Sequence, residues 1–269
     1  MPRVLNKLEI RVLAMMRSGH HAIISWIING SNDSVYFRND VLEANHLNKT
    51  HVAYEKKGDT SLSRGKYIFN IEDAPLKNID IIIDKNRRLL SSGHSKRVRN
   101  LIIIRDPFNL FASRLMFERK IIKKDKSKKI KYANYIGAVG WADARSVKMW
   151  IEHAEVYLGL KRYLKDEVLK INYDFWFADR RYRKKASEAL GLNTDSRAVE
   201  KLSEYGGGSS FDGRRFEHDA NKMNCLYRWR SFLDDEEYLG LFHNNTRLFD
   251  LYNKIYGEIP PDIKDLVGG

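Results

Sequence analysis

Cysteine is almost absent from this chain: Cys225 is the single one in 269 residues. A lone cysteine excludes an internal disulfide framework and a cysteine-built zinc site. The eight histidines show no HxxxH or HExxH spacing, which argues against a metal-centred mechanism. No uninterrupted apolar run is long enough to span a membrane, since Arg17, His20 and His21 break the stretch from Val12 to Ile28. The first residues lack a charged-then-apolar leader with a small-residue cleavage site. A soluble, cytoplasmic protein is the simplest expectation.

Acidic residues are outnumbered by basic ones, 35 to 48, for a formal charge of +13 and an isoelectric point near 9.6. Such a balance points to an anionic partner: nucleic acid, a membrane surface, a polyanionic chain or a phosphorylated cofactor. Hydrophobic residues make up 43% and charged residues 31%, which suits a folded domain and not a disordered chain. The length suffices for one well-cored domain, and residues 1–269 are read as a single one.

The apolar patterning alternates between strand and helix. Glu9–Met16 reads as a buried strand and Ala22–Ile28 as a helix. Val35–Arg38 and Tyr67–Ile71 are short strands, Ile79–Asp84 is open between strand and helix, and Asn100–Ile104 is the strongest strand signal. Pro107 suits the first turn of a helix that continues through "FNLFASRLMFER". Val147, Trp150, Ile151, Ala154 and Leu158 lie at helical spacing, predicting a helix over Trp141–Leu164. A strand at 167–174, a helix closing near Gly191, the turn-rich "YGGGSSFDG" and a helix from about Asp234 complete the pattern. Strands alternating with helices predict an α/β fold with a central, mainly parallel sheet flanked by helices. Arg119–Lys131 carries eight basic residues and one Asp in thirteen positions. It reads as a solvated surface stretch, or as a cationic rim over an anionic substrate.

Two segments carry chemistry. In "MRSGHH" a strand turns into a helix through Arg17, Ser18, Gly19, His20 and His21. Free N–H groups at a helix start, the helix dipole and a glycine that admits close approach make an anion site. Arg17 adds a bidentate-capable charge, and the histidines add donors. A nucleotide P-loop fits poorly, because its first glycine, its lysine and its metal-binding hydroxyl are missing. In "LIIIRDPFNLFASRL" Arg105 ends a strand and Ser113 lies eight positions on. They meet only if the strand end folds back over the helix.

Together, Arg-Ser-Gly-x-x after the first strand and Arg-Asp-Pro-x-x-x-x-x-Ser after a later one resemble the sulfotransferase family. Members of that family use 3′-phosphoadenosine 5′-phosphosulfate (PAPS) and release 3′,5′-adenosine bisphosphate (PAP). The resemblance implies a P-loop-like, three-layer α/β architecture and no metal. It implies that Arg17, Ser18, Gly19, His20 and His21 hold the 5′-phosphosulfate, and that Arg105 and Ser113 hold the 3′-phosphate. "WIEH" at 150–153 is similar to the family's Trp-aromatic-x-His helix, and "INYDFWFADRRYRKKASEALGL" to the segment whose tyrosine, here Tyr173, lies near the nucleotide. "SSFDG" is similar to the stretch that includes Ser210 and whose phenylalanine, Phe211, packs on adenine. "YRWRSFLDDEE" falls where the family carries Arg-Lys-Gly, and Arg228 and Arg230 are the candidates there.

By the same resemblance, "YIFNIEDAP" matches the Glu-Lys-Ser-Pro stretch of carbohydrate sulfotransferases and makes Glu72 the proposed base, with Asp73 in place of the lysine. His20 is the alternative base, since imidazole titrates near neutrality. His46, His51 and His94 stay open. Arg17 would stabilise charge on the departing phosphate. The expectation is sulfuryl transfer to a hydroxyl or amine, with a sugar or anionic acceptor favoured by the basic rim. Acceptor loops are placed at residues 38–66 and 119–140. The competing readings are a P-loop kinase-like enzyme and a basic nucleic-acid-binding protein. Neither oligomeric state nor acceptor identity is written in the sequence.

Overall fold

The computed structural model describes residues 4–39, 41, 52–56, 64–90, 94–124, 142–193, 208–213, 215–216 and 218–267. Its centre is a six-stranded sheet in the order β3-β2-β4-β1-β5-β6. The strands are β1 (Val4–Ala14), β2 (Val35–Arg38), β3 (Val52–Lys56), β4 (Arg64–Glu72), β5 (His94–Ile104) and β6 (Glu167–Asn172). Five are mutually parallel, and β3 pairs antiparallel with β2 at one edge. The strand at 52–56 lies in the segment read as an acceptor loop. The rest of that segment is described at Arg38, Asn39, Val41 and from Arg64 on, and His46 and His51 lie outside the described residues.

Alternation along β1 explains the layers. Ile10, Val12 and Ala14 pack with Ile23, Ile24 and Ile27 of helix α1 (His20–Asn29) on one face. Leu13 points to the other face, with Ile79 and Ile83 of α2 (Ile79–Leu90) and Val156 of α4 (Ala144–Leu158). A strand that buries both faces has no room for a polar side, as parallel strands covered by helices require. The exception proves local: Arg11 and Glu9 are buried, with Arg11 Nε donating to Glu9 Oε1 at 2.8 Å.

Ile79–Asp84, open in the sequence, is helical, because its apolar residues 79 and 83 share one helix face. The helix expected at Trp141–Leu164 is shorter. Asp143 caps its start through the Arg145 and Ser146 amides, and Gly159 ends it in a left-handed turn. The helix Pro107–Lys124 (α3) begins at the proline, as its fixed φ favours. After β6 come α5 (Tyr173–Ala178) and α6 (Arg180–Leu190), then α7 (Glu236–Gly240), α8 (Thr246–Tyr256) and α9 (Pro261–Val267). The single helix expected from about Asp234 is thus divided, with Asn245 capping α8. α3, α4 and α7–α9 bury a second core around Phe108, Phe111, Trp150, Tyr238 and Phe242. No described helix is long and apolar enough to cross a membrane.

Because β1, β4, β5 and β6 run parallel, Ala14, Glu72, Ile104 and Asn172 end at one edge of the sheet. β1 is followed in space by β4 on one side and β5 on the other, so the chain changes winding direction there. Ligands of open α/β sheets bind in the crevice at such a switch point.

Candidate functional site

The turn after β1 is built to face an anion. Arg17 has φ 69 and Gly19 φ 82, both in the left-handed region. Gly19 precedes α1 as its cap without a side-chain hydrogen bond, and no acidic residue lies in the first turn. Glycine is required on two counts here. Besides the positive φ, a Cβ at position 19 would lie 2.2 Å from the Tyr173 ring. Tyr173 therefore packs directly under the loop, and burial drives its hydroxyl pKa upward.

Arg105 folds back over α3 and meets Ser113. Its Nη1 donates to the Arg17 carbonyl at 2.8 Å and to Ser113 Oγ at 3.3 Å, and its Nη2 donates to the Cys225 carbonyl at 2.8 Å. Trp150 Nε1 donates to the Arg105 carbonyl at 2.9 Å, fixing the strand end. The Arg105 guanidinium lies 5.0 Å from the Tyr173 ring centre. Arg17 in turn lies over Phe117 at 4.9 Å and donates to the Gly208 carbonyl at 3.1 Å. Burial and the charges of Arg105 and Arg228 lower the Arg17 pKa to about 10. Among the described residues neither Arg17 nor Arg105 has a carboxylate at ion-pair distance.

Behind Arg105, Asp106 and Asp174 form a buried pair, with the Asp106 amide donating to Asp174 Oδ2 at 2.7 Å. Burial, then the Asp174 charge, push the Asp106 carboxyl up to about 8. The contact ties the exit of β5 to the start of α5, and so Arg105 to Tyr173.

The segment Ser209–Gly213 closes the other side. Ser210 is buried and donates from Oγ to the Ser113 carbonyl at 2.9 Å. Lys120 Nζ donates to the Ser210 carbonyl. Phe211 is half-buried, edge-on to Phe232 at 6.2 Å, with the Arg228 guanidinium 5.0 Å from its ring centre. Arg228 is buried and donates from Nη2 to Ser209 Oγ at 2.8 Å and Asp212 Oδ2 at 3.2 Å. Arg230 is exposed and stacks on Tyr227 and Trp229, its guanidinium 5.0 and 5.3 Å from their ring centres. The structure thus brings Arg17, Arg105, Ser113, Tyr173, Ser210, Phe211 and Arg228 together and leaves Arg230 on the surface.

Glu72, at the end of β4, completes the site. His20 Nε2 lies 2.9 Å from its Oε1, Asn70 Nδ2 donates to the same oxygen at 3.0 Å, and His21 Nε2 is 3.6 Å away. Burial raises the Glu72 pKa, but His20, His21 and Arg17 outweigh it and hold the carboxyl at about 2. An ionised carboxylate only accepts, so His20 donates from Nε2, and its Nδ1 faces Ser18 Oγ at 3.3 Å. His21 Nε2 is 2.7 Å from Asn39 Oδ1. Burial and His20 lower the His21 pKa to about 4. His94 starts β5, exposed and ten residues, about 33 Å, from the strand end that carries the site.

Asp73 and Arg114 were not read as site residues. Asp73, in a left-handed conformation with φ 51, accepts from the Met16 amide at 3.0 Å and bidentately from Arg114 at 2.8 and 3.0 Å. Arg114, fully buried, also donates to the Met16 carbonyl at 3.2 Å. The pair clamps the loop from behind, and the aspartate in place of the expected lysine was the available signal.

No family model and no curated protein matches the sequence. Among solved structures, the chain is similar to the sulfotransferase domain from the curacin biosynthetic pathway. The TM-score is 0.53 at 9% identity, covering 97% of this chain and 99% of that one. The mouse sulfotransferase SULT7A1 complexed with PAP aligns at TM-score 0.47 and 12% identity, over 98% of this chain and 89% of that one. From end to end, then, the chain has the sulfotransferase fold.

Proposed function

We propose that the protein transfers a sulfuryl group from PAPS to a hydroxyl or amine acceptor. The observation that carries this reading is the pair of guanidiniums, Arg17 and Arg105, held together without a carboxylate partner among the described residues. Two such charges in a low-dielectric crevice repel, and a multiply charged anion relieves them. The residues fit PAPS in kind: a strand-to-helix turn for the phosphosulfate, Arg105 with Ser113 for the 3′-phosphate, and Phe211 as an aromatic face for the base. PAPS, when bound, supplies the activated sulfuryl group.

In this reading the chain's work is positioning, charge stabilisation and proton removal. Arg17 and the α1 start offset negative charge that develops as the sulfuryl group leaves. Glu72 receives its hydrogen bonds on Oε1, which leaves Oε2 to take the acceptor's proton. Glu72 is the proposed base, and His20, donating to its Oε1, orients the carboxylate. A carbohydrate or other anionic acceptor suits the basic balance of the chain. Incubation with PAPS and a panel of sugar, phenol and amine acceptors tests the reading, with product sulfation read by mass. Phosphoryl transfer from ATP with Mg²⁺, and no sulfation, would replace it with a kinase-like activity.

A further inference from the structure

We propose that His20, His21 and Glu72 also form a binding site for a divalent transition-metal ion, with Zn²⁺ the best match to the ligand set. Each of the three offers a ligand atom, and these atoms all lie within 4.8 Å of one another. Successive residues of a helix point about 100° apart. Yet the two imidazoles approach to 4.1 Å between ring centres, and both turn Nε2 toward Glu72 Oε1, at 2.9 and 3.6 Å. Ligand atoms about 2.0–2.1 Å from a zinc ion sit about 2.9–3.4 Å from each other, so small side-chain movements seat the ion.

The surroundings are those of a metal site as well. Ligating histidines hold their second nitrogen with a polar partner. Ser18 Oγ faces His20 Nδ1, and Asn70 donates to Glu72. Asn39 Oδ1, 2.7 Å from His21 Nε2, is positioned as a further oxygen ligand. Two imidazoles with a carboxylate select zinc, cobalt or nickel over calcium or magnesium. His21 and Glu72 are partly open to solvent, which gives the ion an entry path. The Arg17 charge acts on both and opposes a cation, so binding is weaker than at a closed four-ligand site.

An ion here uses the carboxylate that the proposed transfer needs as a base. Resting on that reading, the ion is an inhibitor of sulfuryl transfer and not a cofactor.

Untagged full-length protein, stripped with EDTA, is titrated with Co²⁺ and followed by visible absorption. The expected result is one saturating ion per chain, with affinity reduced more than tenfold in both His21→Gln and Glu72→Gln and unchanged in the exposed His94→Gln. In the unsubstituted protein, proton NMR should show the imidazole signals of two histidines shifted by bound Co²⁺, which guards against variants that fail to fold. Absence of saturable Co²⁺ binding at millimolar concentration, equal binding in the variants, or fewer than two shifted histidines overturns the site. In the turnover assay Zn²⁺ should inhibit and EDTA should restore activity, and full turnover with the ion bound overturns the inhibitory role. If no acceptor is ever sulfated, the transfer reading and its inhibition fall, while the Co²⁺ spectra decide the metal site independently.

Discussion

Arg105 donates to the backbone carbonyl of Arg17 at 2.8 Å and so holds Arg17 in its left-handed conformation. A non-glycine residue at φ 69 costs about 1–3 kcal/mol and persists only where the surroundings fix it. The residue assigned to one phosphate therefore shapes the loop assigned to the other. Arg105→Ala should weaken PAP about tenfold to a hundredfold, the loss expected for charge-assisted hydrogen bonds of about 1.5–3 kcal/mol. Calorimetric titration measures it, and unchanged affinity would remove Arg105 from the site.

Asp73 and Arg114 hold the same loop from the opposite side. Removing Asp73 takes the bidentate carboxylate away from a buried guanidinium, a loss of about 3–5 kcal/mol. Asp73→Ala should accordingly lower stability in urea unfolding by that amount, and more than the Asp73→Ala, Arg114→Met double variant. A single variant as stable as the parent would show that the clamp carries no energetic weight.

Glu72→Gln keeps an oxygen that can accept from His20 and Asn70, so the fold and PAP binding should be retained. Proton removal should fail, with kcat falling about 10²–10⁴-fold. Single-turnover rates with saturating PAPS check this. Normal turnover in Glu72→Gln would pass the base role to a histidine.

His153 sits fully buried behind the site, and burial, opposed by the Asp73 charge, lowers its pKa from 6.5 to about 4. Its folded form prefers the neutral ring, whereas the unfolded chain takes up a proton near pH 6.5. Stability from this group is therefore complete above pH 6.5 and is lost as pH falls toward 4, on the order of 3 kcal/mol in all. Asp106 acts in the opposite direction, since its raised pKa favours the fold at lower pH. The difference between parent and His153→Gln isolates the histidine. The parent's stability advantage should shrink between pH 7 and pH 4.5, and a constant difference would contradict the account.

The sheet was legible because β1, β4 and the second half of β5 bury both faces, which leaves near-continuous apolar runs such as Leu101–Ile104. The antiparallel strand at Val52–Lys56 was not, since a short edge strand owes its conformation to pairing with β2 and not to a pattern of its own. Among the candidate site residues, Arg17 and Gly19 stood out as a strand–turn–helix anion turn, whereas Arg105 and Ser113 came from the resemblance of the two segments taken together. The Arg114–Asp73 clamp was hidden, because its partners lie 41 residues apart and a buried ion pair has no local signature. His20 and Glu72, read from the sequence as competing bases, are hydrogen-bonded to one another across the β1–β4 edge.

The most direct test of the central claim is thermal unfolding with PAP against ATP. At a concentration about a hundredfold above Kd, a ligand contributes about 2.7 kcal/mol, or a Tm rise of about 5–10 °C for a domain of this size. PAP should raise Tm by that amount and ATP much less, because the proposed site reads a 3′-phosphate through Arg105 and Ser113 and lacks the lysine of a triphosphate loop. Equal rises with both nucleotides, or none with either, would contradict a PAPS-dependent sulfotransferase.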